Sequence, residues 1–395
     1  MIAHRAGRLT EAEVGYCRVL RSRPNEPSAL RFLALLHFHR GETESALQYL
    51  SRSLEHQPNN PRGWNDLGGM FIALSRADDA LTAYRKAVVV DPTYAEGWYN
   101  VGICLRDSGD LDGALDTLRE AIARQADYFR AYEALAMLLY QLGRTREAAE
   151  IYLEWSARDP ANAKARHMAA AASGQNVPSR ASDDYVRDLF DSAAAKFDRN
   201  VAQLNYRAPE LIAAALASRT RECPLLTVLD AGCGTGLCGP LIRAWCKTLV
   251  GVDLSPKMIE HARARSCYDE LVATELTAFM QSRPNGFDAV VCADTLVYFG
   301  SLDEPLNAAR TTLQPAGVLI VTLEALIANG DDGNHDGSAN TDHRLRFHGR
   351  YAHSEAYIRR VFAATGFEVV SLSREPLRKE ALQDVAGYLV IARRQ

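Results

Sequence analysis

The chain has 395 residues, 47% of them hydrophobic and 24% charged, with a formal net charge of −4. That composition is globular and long enough for two or three domains, and it carries no general electrostatic footprint for nucleic acid. No apolar run approaches the ~20 residues of a membrane span, the first residues lack a signal peptide's apolar core, and the eight cysteines form no C-x-x-C pair. Neither a membrane span, a zinc site nor a disulfide framework is suggested, and a cytoplasmic chain without a membrane partner is expected.

A period of 34 organises the sequence up to about residue 162. Ala12, Ala46, Ala80, Ala114 and Ala148 form one series, and Pro24, Pro58, Pro92 and Pro160, with Ala126 in the fourth place, form another. Gly7, Gly41, Gly109 and Gly143 form a third, with Ser75 filling its second gap. Each period reads as two short amphipathic helices, with the glycine in a positive-φ turn between them and the proline closing the second. The small alanine lets the helices approach, and Trp64, Leu67, Phe71 and Tyr84, or Trp98, Val101, Leu105 and Leu118, fill the seam.

This pattern resembles the tetratricopeptide repeat, in four full units at 27–60, 61–94, 95–128 and 129–162. The register leaves half a repeat absent before Met1, so the N-terminal helix end is expected to be frayed or covered by a neighbouring chain. AKARHMAAAASG (163–174) reads as a capping helix that ends a repeat domain over 1–174, and 175–184 reads as a polar linker. The resemblance implies a concave groove for a protein or peptide. The competing readings are that the repeats brace the second domain or pair two copies as a homodimer.

From residue 225 the pattern becomes strand–helix alternation. LLTVLDAG enters a glycine loop, GLCGPLIRAWC leaves it as a helix, and TLVGVDLS, FDAVVCADTLVYF and AGVLIVTLE follow as strands. Ser255 and Pro256 occupy the preferred cap and first-turn positions of the helix after TLVGVDLS. FEVVSLSRE and AGYLVIARR close the chain as an antiparallel pair. The result is an α-solenoid followed by a mainly parallel α/β sheet whose ligands sit at the carboxyl edge.

Gly234-Thr-Gly236-Leu-Cys-Gly239 satisfies the dinucleotide pattern G-x-G-x-x-G, but Asp230 stands just before the first glycine of the loop. A carboxylate there repels a pyrophosphate and favours a cationic amino-acid ligand. The glycines allow close backbone approach, and the next helix N-terminus receives a carboxylate.

Residues 185–395 resemble the class I S-adenosylmethionine-dependent methyltransferases, with a Rossmann-like seven-stranded domain. The resemblance rests on Asp230-Ala-Gly232-Cys233-Gly234-Thr-Gly236, on Asp253 ending GVDLS, and on Leu313-Gln-Pro315-Ala-Gly317, where Ala316 replaces a glycine. It implies S-adenosylmethionine as cofactor and S-adenosylhomocysteine as product. Asp253 would hold both ribose hydroxyls, Leu254 and Met258 would flank the adenine, and Glu275 would face its amino group. Cys233 is a small filler of the loop rather than a nucleophile, since no basic partner adjoins it. The whole chain resembles the methyltransferases that carry N-terminal tetratricopeptide repeats, through LFDSAAAKFDRNVAQLNYRAPELI, ADTLVYFGSL and GRYAHSEAYI.

Two segments are expected to build the acceptor chamber. Lid helices lie within 185–220 and carry Tyr185, Phe190, Phe197 and Tyr206 on their inner face, with Tyr206 and Arg207 best placed for substrate. The second segment runs from Glu324 to His353. In it Asp332-Gly-Asn334-His-Asp336-Gly337 copies the start of a calcium loop, but the twelfth position is His343, so it is taken as a lid and no metal is assigned. His348, Arg350, Tyr351 and His353 cluster polar chemistry there, and Asp294 and Tyr298 follow the fourth strand. His353, Asp294, Tyr206 and Tyr351 are the catalytic candidates, while Arg207, Tyr298, His348 and Arg350 are the acceptor-binding ones. The expected function is methyl transfer to a protein, peptide or carrier-bound acceptor recruited by the repeats. The alternatives are a small-molecule methyltransferase whose repeats dimerise and a non-catalytic scaffold.

Overall fold

A computed structural model describes residues 8–220, 225–326, 342–380 and 383–395. It divides into two compact units, Met1–Arg158 and Asp159–Gln395.

The described part of the first unit consists of helices α1 (Leu9–Ser22), α2 (Pro27–His39), α3 (Thr43–His56), α4 (Pro61–Ala73), α5 (Ala77–Val90), α6 (Ala95–Ser108), α7 (Leu111–Arg124), α8 (Phe129–Gln141) and α9 (Thr145–Arg158). The five periodic alanines are all buried, the most exposed at 4%. Gly41, Gly109 and Gly143 take φ of +80°, +90° and +73°, and Ser75 takes the same left-handed turn at +59°. A side-chain contact repeats with the period too. Trp64 Nε1 donates to the Pro58 carbonyl at 2.8 Å, Trp98 Nε1 to that of Pro92 at 2.9 Å, and the Tyr132 hydroxyl to that of Ala126 at 3.3 Å. The N-terminal end on which the missing half-repeat expectation falls, residues 1–7, lies outside the described residues.

The second unit opens with α10 (Ala163–Ser173), the helix expected to cap the repeats. It is held inside this unit by His167, whose Nε2 donates to the Gly349 carbonyl at 2.8 Å and whose ring stacks on Tyr185 at 4.1 Å. The segment 175–184, read as a polar linker, makes backbone contacts with this unit. Gly300 N donates to Ser179 O at 2.8 Å, Ala181 N to Tyr298 O at 2.8 Å, and the Tyr351 hydroxyl to Pro178 O at 2.6 Å. Helices α11 (Asp183–Ala193), α12 (Phe197–Gln203) and α13 (Ala208–Thr220) follow, α11 capped by Ser182.

The sheet strands are β1 (Leu226–Ala231), β2 (Cys246–Asp253), β3 (Glu270–Ala273), β4 (Phe287–Cys292), β5 (Leu313–Ala325), β6 (His343–Leu345), β7 (Tyr351–His353), β8 (Phe367–Glu380) and β9 (Gln383–Arg394). The helices between them are α14 (Cys238–Ile242), α15 (Pro256–Ala264), α16 (Leu276–Gln281), α17 (Asp303–Thr312) and α18 (Glu355–Ala364). β3-β2-β1-β4-β5 run parallel, and β9 joins β5 antiparallel with β8 beyond it. That is the expected α/β plan, with the closing antiparallel pair where the sequence places it.

Among the described residues the sheet has nine strands, the expected seven with the short β6 and β7 added. β5 forks at its carboxyl end, where Glu324 and Ala325 also pair with β7, and β6 pairs β7 in turn. Core residues such as Leu229, Val290, Leu319 and Val321 are buried on one face, and Val228, Ala289, Val291 and Ile320 on the other. A sheet covered on both faces explains why these strands read as continuous apolar runs.

Candidate active site

β1 is apolar and buried to its end, so the chain must turn sharply where it emerges. Gly232 makes that turn at φ +79°, and a Cβ there would lie 2.3 Å from Thr295 Cγ2. Gly234 is left-handed as well (φ +53°), with open space where a Cβ would stand. Both positions favour glycine for their left-handed backbone, and Gly232 also for its close approach to Thr295.

Asp253, at the end of the neighbouring β2, fixes the loop from the side. Its Oδ2 accepts Gly234 N at 2.9 Å and its Oδ1 accepts Ser255 N at 2.8 Å. Burial pushes this carboxyl upward against those two bonds. A cavity of about 410 Å³ opens here, bordered by Gly232, Cys233, Gly234, Asp253, Leu254 and Glu275.

Asp230 does not border that cavity. It is 1% exposed, its Oδ2 accepts the Tyr268 hydroxyl at 2.6 Å, and its Oδ1 has no partner. Burial pushes its carboxyl up to about 7, against the lowering effect of Tyr268. Gly236 and Met258 also lie away from the cavity. Met258 is fully buried, and Tyr268 covers Gly236. Met258 is therefore a core residue rather than a flank for adenine. Glu275 reaches the cavity wall already engaged. It caps α16 through Ala278 N at 2.8 Å, accepts the Thr277 hydroxyl, and pairs with Arg180 at 3.0 Å.

The lid helices close the other side. Leu189, Phe190, Phe197, Val201, Leu204 and Tyr206 face the cavity. Phe190 meets Phe197 and Tyr298 edge-on, at 6.1 and 5.6 Å. Four polar contacts fasten this lid and the segment before it to the elements around the glycine loop: Asp198 with the Thr235 hydroxyl and with Arg265, Asp191 with the Ser255 hydroxyl, and Arg180 with Glu275.

At the far end Asp294 takes φ +51°, a strained setting that aspartate tolerates, directly after β4. Its Oδ1 accepts the Thr322 hydroxyl at 2.8 Å, and its Oδ2 meets Arg378 Nη1 at 3.1 Å. Arg378, 4% exposed, also gives Nη2 to Glu324 and Nε to Glu380 at 2.8 Å. Arg350 gives Nη1 to Glu324 at 3.2 Å and Nη2 to Glu380 at 2.9 Å. Burial raises the Glu324 carboxyl, but Arg378, His348 and Arg350 outweigh it and hold it at about 2. His348 stands 3.5 Å from Glu324 and borders the cavity, as do Asp294, Tyr298, Tyr206, Arg350 and Arg378.

Three of the residues expected at this acceptor end are not there. His353 is fully buried in β7, with Nε2 donating to Phe299 O at 2.9 Å and Gly300 O at 3.1 Å. Burial pushes its imidazole down to about 4, so it is a neutral core histidine and not a base for the acceptor. Tyr351 is equally buried, with its hydroxyl spent on Pro178 O. Arg207 does not border the cavity, and its backbone N–H donates to Leu377 O at 2.8 Å. Arg350 does border it, but as a partner of Glu324 and Glu380 rather than as a free cation. The calcium-like segment Asp332–Gly337 lies outside the described residues.

The sequence reading missed Tyr268, Arg180, Asp198, Glu324 and Arg378. Only Glu324 left a signal, an acid ending the apolar run of β5. No described helix is long and apolar enough to cross a membrane.

The methyltransferase domain family matches residues 185–372. Two tetratricopeptide repeat families match 2–61, 33–96 and 66–128, and 105–172. The human methyltransferase-like protein 27 is 38% identical over 146 residues, 36% of this chain and 58% of that protein. The malonyl-[acyl-carrier protein] O-methyltransferase of Erwinia pyrifoliae is 30% identical over 148 residues, 37% of this chain and 54% of that one. The match thus spans little more than half the length of either relative. The S-adenosylhomocysteine-bound magnesium protoporphyrin IX methyltransferase of Synechocystis PCC 6803 aligns at 18% identity and a TM-score of 0.40, over 54% of this chain and 99% of that one.

Proposed function

Because the chain joins tetratricopeptide repeats to a methyltransferase domain, we propose that it methylates an acceptor that the repeats recruit, with S-adenosylmethionine as donor. One observation carries the cofactor half of this reading: the left-handed Gly232–Gly234 turn, tied to Asp253, opens onto a single cavity with Asp294 at its other end.

The residues fit this cofactor. Gly234 leaves bare backbone at the cavity, where a ligand can approach closely. Asp253 would hold the ribose hydroxyls, with Leu254 against the adenine. When bound, the cofactor supplies an electrophilic methyl group on a sulfonium. The chain's own part is to align an acceptor with it and exclude water, which Phe190, Phe197 and Tyr298 are placed to do.

The repeat unit has its own recess of about 480 Å³, bordered by Arg31, Arg62, Asn65, Asp66, Glu96 and Tyr128. Its mixed charges and amide suit a polar protein or peptide segment, which favours recruitment over bracing. A small-molecule acceptor is the second reading, favoured by the aromatic wall of Tyr206, Tyr298 and Phe190.

Calorimetry with S-adenosylhomocysteine tests the cofactor assignment. The Asp253→Ala variant loses charge-assisted bonds worth about 1.5–3 kcal/mol each, a roughly ten- to hundredfold weakening. Unchanged affinity, or tight NAD binding in its place, overturns the reading.

A further inference from the structure

We propose that the acceptor presents an uncharged, flat nitrogen heterocycle, methylated on an sp² ring nitrogen to a cation, and that Tyr206 and Tyr298 position it. This rests on the methyltransferase reading above and adds the class of acceptor and the residues that select it.

Two tyrosine hydroxyls open onto the acceptor end. Tyr206 and Tyr298 border the cavity, and among the described residues neither hydroxyl has a hydrogen-bond partner. Neither oxygen is sealed off, unlike His348 Nδ1, so each hydroxyl can give and take a hydrogen bond in the cavity. Burial pushes both phenols up, which keeps them protonated and able to donate.

Different elements hold the two rings in place. Tyr206 lies in the link between α12 and α13. There Arg207 N donates to Leu377 O at 2.8 Å and Lys379 N donates to Leu204 O at 2.6 Å, one bond on each side of Arg378. Tyr298 follows β4, its carbonyl accepts Ala181 N at 2.8 Å, and its ring meets Phe190 edge-on at 5.6 Å. Two aromatic walls with polar tips suit a flat ring that carries a polar atom at its rim.

The charges at this end decide which ring. Arg378 and Arg350 point their guanidinium nitrogens at Asp294, Glu324 and Glu380, three acids against two cations. An anionic acceptor would enter against that surplus. An aliphatic amine would be held as its ammonium, whose lone pair is bound to a proton and cannot attack. An alcohol must give up its proton, and the carboxylates here are committed. Glu324, raised by burial, is held at about 2 by Arg378, His348 and Arg350, and Asp294 keeps its bonds to Thr322 and Arg378. A neutral sp² ring nitrogen meets none of these obstacles, because its lone pair lies in the ring plane and carries no proton.

In the transfer that lone pair forms the bond to the methyl carbon, and the pair of the broken carbon–sulfur bond goes to sulfur. No proton moves. One positive charge leaves sulfur and one appears on the ring, so the surplus carboxylate charge faces one cation before the step and one after it.

The test follows production of S-adenosylhomocysteine from S-adenosylmethionine by the full chain at about pH 8, where the ring nitrogens of the probes are unprotonated. Nicotinamide is the probe for a free heterocycle and N-acetylhistidinamide for a histidine of a recruited protein; phenol, benzylamine and benzoate stand for the other classes. Transfer to a heterocycle and to none of these three is expected, and the heterocycle that reacts identifies the source. Binding gives a readout apart from turnover. With S-adenosylhomocysteine bound, calorimetry should find the ring-methylated nicotinamide cation roughly two- to thirtyfold tighter than nicotinamide, the range for a cation among aromatic rings. Tyr206→Phe and Tyr298→Phe should each raise KM for the reacting probe roughly two- to tenfold, the worth of one neutral hydrogen bond, with kcat and the thermal midpoint unchanged. Methylation of phenol, benzylamine or benzoate, transfer to neither heterocycle although S-adenosylmethionine binds, no preference for the cation, or wild-type KM in both tyrosine variants overturns the proposal and leaves the methyltransferase reading standing. Failure to bind S-adenosylmethionine at all would overturn that reading instead.

Discussion

The Tyr268 hydroxyl donates to Asp230 Oδ2 at 2.6 Å, across 38 residues of sequence, and among the described residues it is the single hydrogen bond to this 1%-exposed carboxylate. One neutral donor does little to offset the loss of water around a charge. The carboxyl therefore rises from the usual 3.8 to about 7.

This sets a pH dependence. A carboxyl raised in the folded state binds its proton more tightly there than in the unfolded chain. Its contribution to stability is then full below about pH 4 and is lost as pH rises through about 7. Asp230→Asn should abolish that loss, becoming more stable relative to wild type between pH 4 and 8 by on the order of 2–4 kcal/mol. Urea unfolding of both proteins at pH 5 and pH 8 measures it, and parallel stability curves would remove Asp230 as the cause.

Ser75 occupies the left-handed turn that its three periodic counterparts give to glycine. A side chain in that region costs about 1–2 kcal/mol, and glycine returns about 0.5–1 kcal/mol of that as lost chain entropy. Ser75→Gly should therefore stabilise the chain by roughly 0.5–1 kcal/mol. Gly109→Ser, at φ +90°, should destabilise it. Thermal melts that move both variants in the same direction would contradict the equivalence of the two turns.

The turn and the alanine series were legible because backbone conformation and close helix approach restrict residue type locally, at a fixed spacing. The same holds for Gly232, Gly234 and Asp253, where a strand end, a tight turn and a second strand end follow one another. The lid latch and the ion cluster have no such signature. Asp198 meets Thr235 across 37 residues, and Arg378 meets Asp294 across 84. Which side chains converge there is decided by how strands align, and no short-range pattern encodes it. His353 shows the opposite error: a histidine beside an arginine and a tyrosine looks catalytic, yet pairing of β6 with β7 turns it into the core.

His353→Ala should accordingly act on folding. It leaves the Phe299 and Gly300 carbonyls without their shared donor and opens a space beside Tyr357. Unsatisfied buried groups cost about 1–3 kcal/mol. A lower denaturation midpoint is expected, with S-adenosylhomocysteine affinity unchanged in the folded fraction. Wild-type stability in this variant would mean that the buried ring carries no weight.

The last prediction concerns cofactor exchange. Asp198 on α12 accepts the Thr235 hydroxyl and pairs with Arg265, and Arg265 Nε also donates to the Thr235 carbonyl. The glycine loop and the lid are thereby held by one carboxylate that is about half exposed, and such pairs contribute only about 0–1 kcal/mol to the fold. Asp198→Ala should leave the thermal midpoint nearly unchanged. Its effect belongs to the lid: a ligand beneath the lid leaves only when α12 lifts from Thr235, so removing the latch should speed release. Loss of about 1 kcal/mol from the closed state corresponds to a roughly fivefold faster off-rate. Stopped-flow displacement of S-adenosylhomocysteine measures it, and an off-rate equal to wild type would show that the lid opens elsewhere, with the Arg180–Glu275 pair the next contact to cut.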